Sequence, residues 1–284
     1  MKEKRNQLLL ITTFVLTQIV AVLFTQNFII SQIPVEQYAP FGNENVAQAS
    51  ANSGILVIYV ALFTIFLIFI LKYRLRVVFK FIVIILPLIF LFGFTDWQLM
   101  VLLNRYSGTD LFTLSTSITL LFILAIVYGL YNKNYLIVTS SVLLLTTEIA
   151  SYLALSLSPP TLYILPLAFA LYDIYAVFRG PLKKLIKIQP KKTLQEKFIY
   201  SDLGLIITRI GGFTIGTGDF VFYSLLVASG FIQKSFLGAA IVGIAINLGV
   251  LLTLYILEKY NKPLPGLPIP IFLAVGILLL LPYV

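Results

Sequence analysis

The chain has 284 residues, of which 60% are apolar and only 11% charged, against about 25% charged in a soluble domain. It carries no Cys and no His, which excludes a cysteine nucleophile, a disulfide framework, an H-E-x-x-H zinc site and a Ser-His triad. The formal charge of +9 does not point to nucleic acid, because the basic residues sit in short segments between apolar runs, as orientation in a membrane requires.

Runs near 20 apolar residues are long enough to cross a hydrocarbon core of about 30 Å, and they have no broad polar face to show water. The expected fold is therefore all-α and polytopic, an integral multi-pass protein of the cell membrane. Nine transmembrane spans are predicted, at about 8–30, 54–71, 77–93, 111–131, 135–157, 161–178, 216–233, 236–257 and 266–284. The first follows Met1-Lys-Glu-Lys-Arg5, which resembles a signal-peptide n-region. Its apolar stretch is long and no small-x-small site follows, so it reads as a retained span. The segment before span seven departs from the helical pattern. Residues 206–210 and 213–215 are β-rich runs about Gly211-Gly212, which predicts a short hairpin; a flexible lead-in is the alternative.

Orientation follows from Lys and Arg. With the N-terminus cytoplasmic, 17 of the 20 basic residues fall in inside segments; Arg105 and Lys234 fall outside, and Arg209 lies near the start of span seven. This asymmetry predicts an odd number of spans and a C-terminus outside. The chain divides into residues 1–180 with spans one to six, a basic cytoplasmic loop at 181–202, and residues 203–284 with spans seven to nine. No segment outside the membrane is large enough to hold its own core, so one structural domain is expected. The cluster at 183–192 could bind anionic lipid, although ordinary orientation signals explain it.

Ionisable residues inside a bilayer are costly and mark function. Three stand out: Glu148, Asp173 and Asp219. Asp173 is six residues before Arg179, about 9 Å below the inner surface at the rise of a helix. Asp219 is near the inner start of span seven, which runs antiparallel to span six. Both carboxylates thus fall at similar depth on the same side. Two carboxylates so placed can form an aspartyl dyad, one ionised as general base on water and the other protonated to polarise a carbonyl, because close like charges titrate apart. Hydrogen bonding to a neighbouring helix, or a proton or cation relay, would also explain them. Gly216 and Gly218 favour the dyad, since a missing Cβ lets another backbone come close. Glu148, about 13 Å from the outer end of span five, is expected to have a buried Tyr or Ser partner or to be protonated. Thr113, Ser115, Thr116, Ser117 and Thr119 in span four read as interhelical hydrogen-bonding groups. Prolines at 263–268 suit a helix start.

Tyr172-Asp173 within an apolar span, and Gly216-Thr-Gly-Asp219 followed by Phe-Val-Phe-Tyr, resemble the presenilin and signal peptide peptidase family of G-x-G-D intramembrane aspartyl proteases. Pro265-Gly266-Leu267 stands where that family carries Pro-Ala-Leu, with Gly266 replacing the alanine. Nine spans, N-in and C-out, also match. The resemblance implies an aspartic endopeptidase that hydrolyses peptide bonds in transmembrane segments, with water as nucleophile, no metal and no cofactor. It makes Asp173 and Asp219 catalytic. Tyr172 would shape the first site, Gly216 and Gly218 would admit the scissile backbone, and Pro265, Gly266 and Leu267 would pack beneath the dyad. The implied partners are transmembrane helices of substrate proteins in a lipid bilayer. No nucleic acid is involved, and the short 181–202 loop points to action without obligatory partner subunits. Residues 206–215 would offer an edge strand to an unwound substrate. The alternative function is a proton- or cation-coupled secondary transporter using the same aspartates; a receptor or scaffold would leave them unexplained.

Overall fold

A computed structural model describes residues 2–32, 35–42, 45–73, 75–107, 111–132, 134–179, 207–210, 212–260 and 265–280. The basic loop at 181–202, with its candidate lipid-binding cluster, lies outside them. In chain order the elements are α1 (Lys2–Ser31), α2 (Val46–Lys72), α3 (Arg76–Lys80), a π-helical turn (Phe81–Ile85), α4 (Leu86–Ser107), α5 (Phe112–Tyr131), α6 (Tyr135–Ser156), α7 (Pro159–Phe178), β1 (Ile207–Ile210), β2 (Phe213–Gly216), α8 (Thr217–Tyr260) and α9 (Pro268–Leu280). Among the described residues seven helices are long and apolar enough to cross a membrane, and α9 is a shorter apolar helix. The chain is an integral, multi-pass, helical membrane protein.

Local chemistry sets the helix starts near the site. The Asn134 side chain accepts from the backbone N–H groups of Leu136 and Ile137 and so opens α6, satisfying donors that a helix cannot pair internally. Ser158 precedes Pro159 and Pro160 at the first positions of α7, where a missing N–H costs nothing. The chain at 207–216 pairs as an antiparallel ladder, Ile207 with Gly216 and Ile210 with Phe213. Gly212 turns it with φ of +87°, a conformation in which a Cβ is disfavoured.

The third apolar run does not end at Gly93, as its polarity suggests. Helix α4 continues through Thr95, Asp96 and Gln98 to Ser107. Each of these three polar side chains has an interhelical partner: Thr95 donates to Glu148 at 2.8 Å, Ser115 donates to Asp96, and Asn27 donates to Gln98. Paired polar groups can lie inside a helical bundle without ending a span. Two expectations change with them. Glu148, which is 1% exposed, has a hydroxyl partner of the kind expected, but the residue is Thr95. In α5, Ser115 is an interhelical donor, whereas Thr116 and Ser117 donate to the carbonyls of Phe112 and Thr113 in their own helix.

Helix α8 is the central post. It packs against α1, α6 and α9, while α2 packs on α7 and α5 on α4. The main buried cluster joins Leu10 and Phe14 of α1, Ala150 and Ala154 of α6, Leu165 and Phe169 of α7, Phe220 to Leu254 of α8 and Ile271 to Leu278 of α9. Close approach depends on glycine: a Cβ at Gly249 would stand 2.5 Å from the Cα of Pro270 in α9.

The 44-residue α8 is two limbs, broken at Lys234 and Ser235. Ser235 has φ 52° and ψ −148°, a region that is populated almost only by glycine and costs other residues about 1–3 kcal/mol. Ser235→Gly should therefore raise the thermal unfolding temperature of the purified protein. A lower or unchanged temperature would show that the Ser235 backbone is not strained.

Candidate active site

Asp173 and Asp219 come from different helices. Asp173 lies five residues before the end of α7, and Asp219 is the third residue of α8. Its place in the first turn puts a carboxylate beside the unpaired N–H groups and positive end of the helix dipole. Strand β2 runs straight into α8, so the hairpin ends three residues before Asp219. Both aspartates are half-buried.

Gly266 and Leu267, just before α9, lie against the two aspartates. The backbone N–H of Leu267 donates to Oδ2 of Asp173 at 3.2 Å. Gly266 lies against Asp219: a Cβ added there would stand 3.2 Å from Oδ2 and 3.4 Å from Oδ1. Pro265 is half-buried and Leu267 is buried in the main core. Of the three residues expected beneath the dyad, Gly266 and Leu267 thus lie against an aspartate through backbone rather than side chain.

Gly216 and Gly218 behave differently. Both are exposed, and a Cβ at either would meet no atom of the described residues within 4 Å. Among the described residues no packing calls for glycine there, in contrast to Gly249. Open space beside Asp219 is what an approaching backbone needs. Tyr172 is half-buried and packs against the central core.

Tyr223 belongs to the site, and the sequence reading passes over it. It sits four residues beyond Asp219 on the same helix face and is 3% exposed. Its hydroxyl donates to the carbonyl of Gly266 at 2.9 Å. Phe14 of α1 packs on both Phe220, with centroids 4.6 Å apart, and Tyr223, at 5.1 Å and edge-on. The spacing Asp-x-x-x-Tyr was the available signal, but an aromatic in an apolar helix ordinarily reads as core.

Carboxylates from two membrane helices, steadied by a proline-flanked turn ahead of the last helix, define a class of intramembrane carboxylate site. Residues 207–283 match the protein-family model described as Presenilin. Over 118 residues the chain is 35% identical to Presenilin-B of Dictyostelium discoideum, a match covering 40% of this chain and 24% of that relative. Two crystal structures of a presenilin family intramembrane aspartate protease share the fold. The one in space group C222 has a TM-score of 0.63 at 19% identity, covering 97% of this chain and 98% of that one. The one in P2 has 0.62 at 21%, covering 95% and 94%. Residues 207–283 are thus similar in sequence to that family, and nearly the whole chain is similar in fold to those two structures.

The contact at Gly266 can be tested by size. Alanine requires the flexible end of Asp219 to yield by a few tenths of an ångström, so Gly266→Ala should keep activity within about 10-fold. Valine adds branched bulk at the same point, and Gly266→Val should lose about 100-fold or more with its circular dichroism unchanged. Equal activity in the two variants would contradict the contact.

Proposed function

We propose that the chain is an intramembrane aspartyl endopeptidase that hydrolyses peptide bonds in transmembrane segments of other membrane proteins. The observation that carries this reading is the convergence of Asp173 and Asp219 on one backbone turn, beside open glycine positions. One aspartate, ionised, takes a proton from water as the oxygen attacks the scissile carbonyl. The other, protonated, hydrogen-bonds to the carbonyl oxygen and stabilises the charge that develops there. Collapse of the tetrahedral intermediate breaks the C–N bond, and a carboxyl group supplies the proton to the leaving amine. The pair holds one proton at rest, two while the charged tetrahedral intermediate stands, and one again once the amine has taken its proton, so the two groups can exchange roles.

A substrate helix must unwind first, because its peptide groups are paired internally. The freed groups then need partners inside the bilayer. The 207–216 ladder sits immediately before Asp219 and supports a model in which its outer edge accepts the unwound strand. Gly212→Pro cannot adopt φ of +87°, since proline is fixed near −65°. It should disrupt the ladder and depress turnover; full turnover would count against strand addition.

The proposed topology is nine crossings with the N-terminus cytoplasmic and the C-terminus outside. The break at Lys234 and Ser235 supports counting α8 as two crossings, and α9 as the last. Reporter tags at 190 and 261 should read cytoplasmic and a C-terminal tag external. A cytoplasmic C-terminal tag would remove the nine-crossing arrangement. The chain is expected to form one structural domain and to act without obligatory partner subunits.

The decisive variants are Asp173→Asn and Asp219→Asn. Asn can neither accept water's proton nor exchange roles, so each should abolish cleavage of a transmembrane peptide. The wild type should show a bell-shaped pH–rate profile, because both limbs report loss of the singly protonated pair. A hydroxyl-bearing isostere of the tetrahedral intermediate should inhibit it. Proton- or cation-coupled flux in liposomes, with no fragments from a broad peptide panel, would instead make these aspartates a transporter's relay.

A further inference from the structure

We infer that Tyr223 is a positioning residue that acts on Asp173 through a single peptide bond. This rests on the protease reading above and adds a residue to its machinery. Two hydrogen bonds meet on the Gly266–Leu267 peptide unit. Its carbonyl oxygen accepts from the Tyr223 hydroxyl at 2.9 Å, and its N–H donates to Oδ2 of Asp173 at 3.2 Å. The path runs from O–H through O=C–N–H to carboxylate without leaving one planar, resonance-coupled group. A donor on the carbonyl polarises the peptide and strengthens what its N–H gives, which is the cooperativity of linked hydrogen bonds in a low-dielectric interior.

The geometry also couples the two aspartates mechanically. Tyr223 stands one turn beyond Asp219 on α8, while Asp173 is on α7. The peptide that Tyr223 grips is flanked by Gly266, whose Cα faces Asp219. A displacement of α8 therefore reaches Asp173 through the turn as well as through space. Tyr223 cannot relax away from this contact, since it is 3% exposed and its ring is held edge-on by Phe14 at 5.1 Å. Among apolar side chains of this core a phenylalanine would fill the same volume. The hydroxyl is the part that packing does not require.

Tyr223→Phe keeps the ring and removes only the donor. Two measurements test it. First, glycine labelled with 13C at the carbonyl and leucine labelled with 15N mark the three Gly–Leu peptide bonds, at 129–130, 204–205 and 266–267. In Tyr223→Phe the 266–267 amide resonance should move upfield in the proton dimension, with the other two unchanged. Second, kcat for a transmembrane peptide should fall about 10-fold, the scale of one lost hydrogen bond felt at the reacting group, with KM within about twofold. A core defect would instead move all three resonances, or lower the unfolding temperature and leave kcat of the folded fraction intact. Unmoved 266–267 resonances overturn the linkage even if the wild type cuts nothing. A wild type that cuts nothing, with the resonance moved, overturns the protease reading and leaves the linkage standing.

Discussion

Two carboxylates inside a bilayer stay together only if something fixed lies against both of them. In water, solvent would separate their charges; among apolar helices, that task falls to protein dipoles. Here the fixed element is the turn at 265–267. It donates a backbone N–H to Asp173 and presents a bare Cα to Asp219. Backbone suits this role, because a peptide group has no rotamers to lose.

The rest of the fold can be understood as holding that turn. Helix α9 begins one residue after Leu267, and Gly249 lets Pro270 come against the second limb of α8. The first limb of α8 carries Asp219 and Tyr223, and the hairpin leads into it. Phe14 of α1 packs edge-on against Tyr223. Helix α7 brings Asp173, with α2 packed behind it. The site is built where α1, α7, α8 and the turn before α9 converge, so its geometry depends on helix packing more than on any one loop.

Much of this was legible in the sequence, for identifiable reasons. Apolar run length gave the membrane class, and the two aspartates stood out because charge is rare at that depth. Residues 265–267 were found by resemblance, but the sequence could not say that they act through N–H and C=O, which every residue has. Tyr223 was hidden because aromatic residues are common in apolar helices. The end of the third apolar run was misplaced at Gly93 because Thr95, Asp96 and Gln98 look like a loop until their partners Glu148, Ser115 and Asn27 are in view. Those partners lie up to 71 residues away, beyond any local pattern.

The central claim is that two aspartates held by one turn activate water against a peptide bond in the membrane. The most direct measurement is hydrolysis of a synthetic transmembrane peptide by the purified protein in H2(18)O, read by mass spectrometry. The account predicts paired fragments whose new C-terminal carboxylate carries solvent 18O, with none from protein lacking either aspartate. Fragments of the same mass and yield from a variant lacking Asp173 or Asp219 would contradict it.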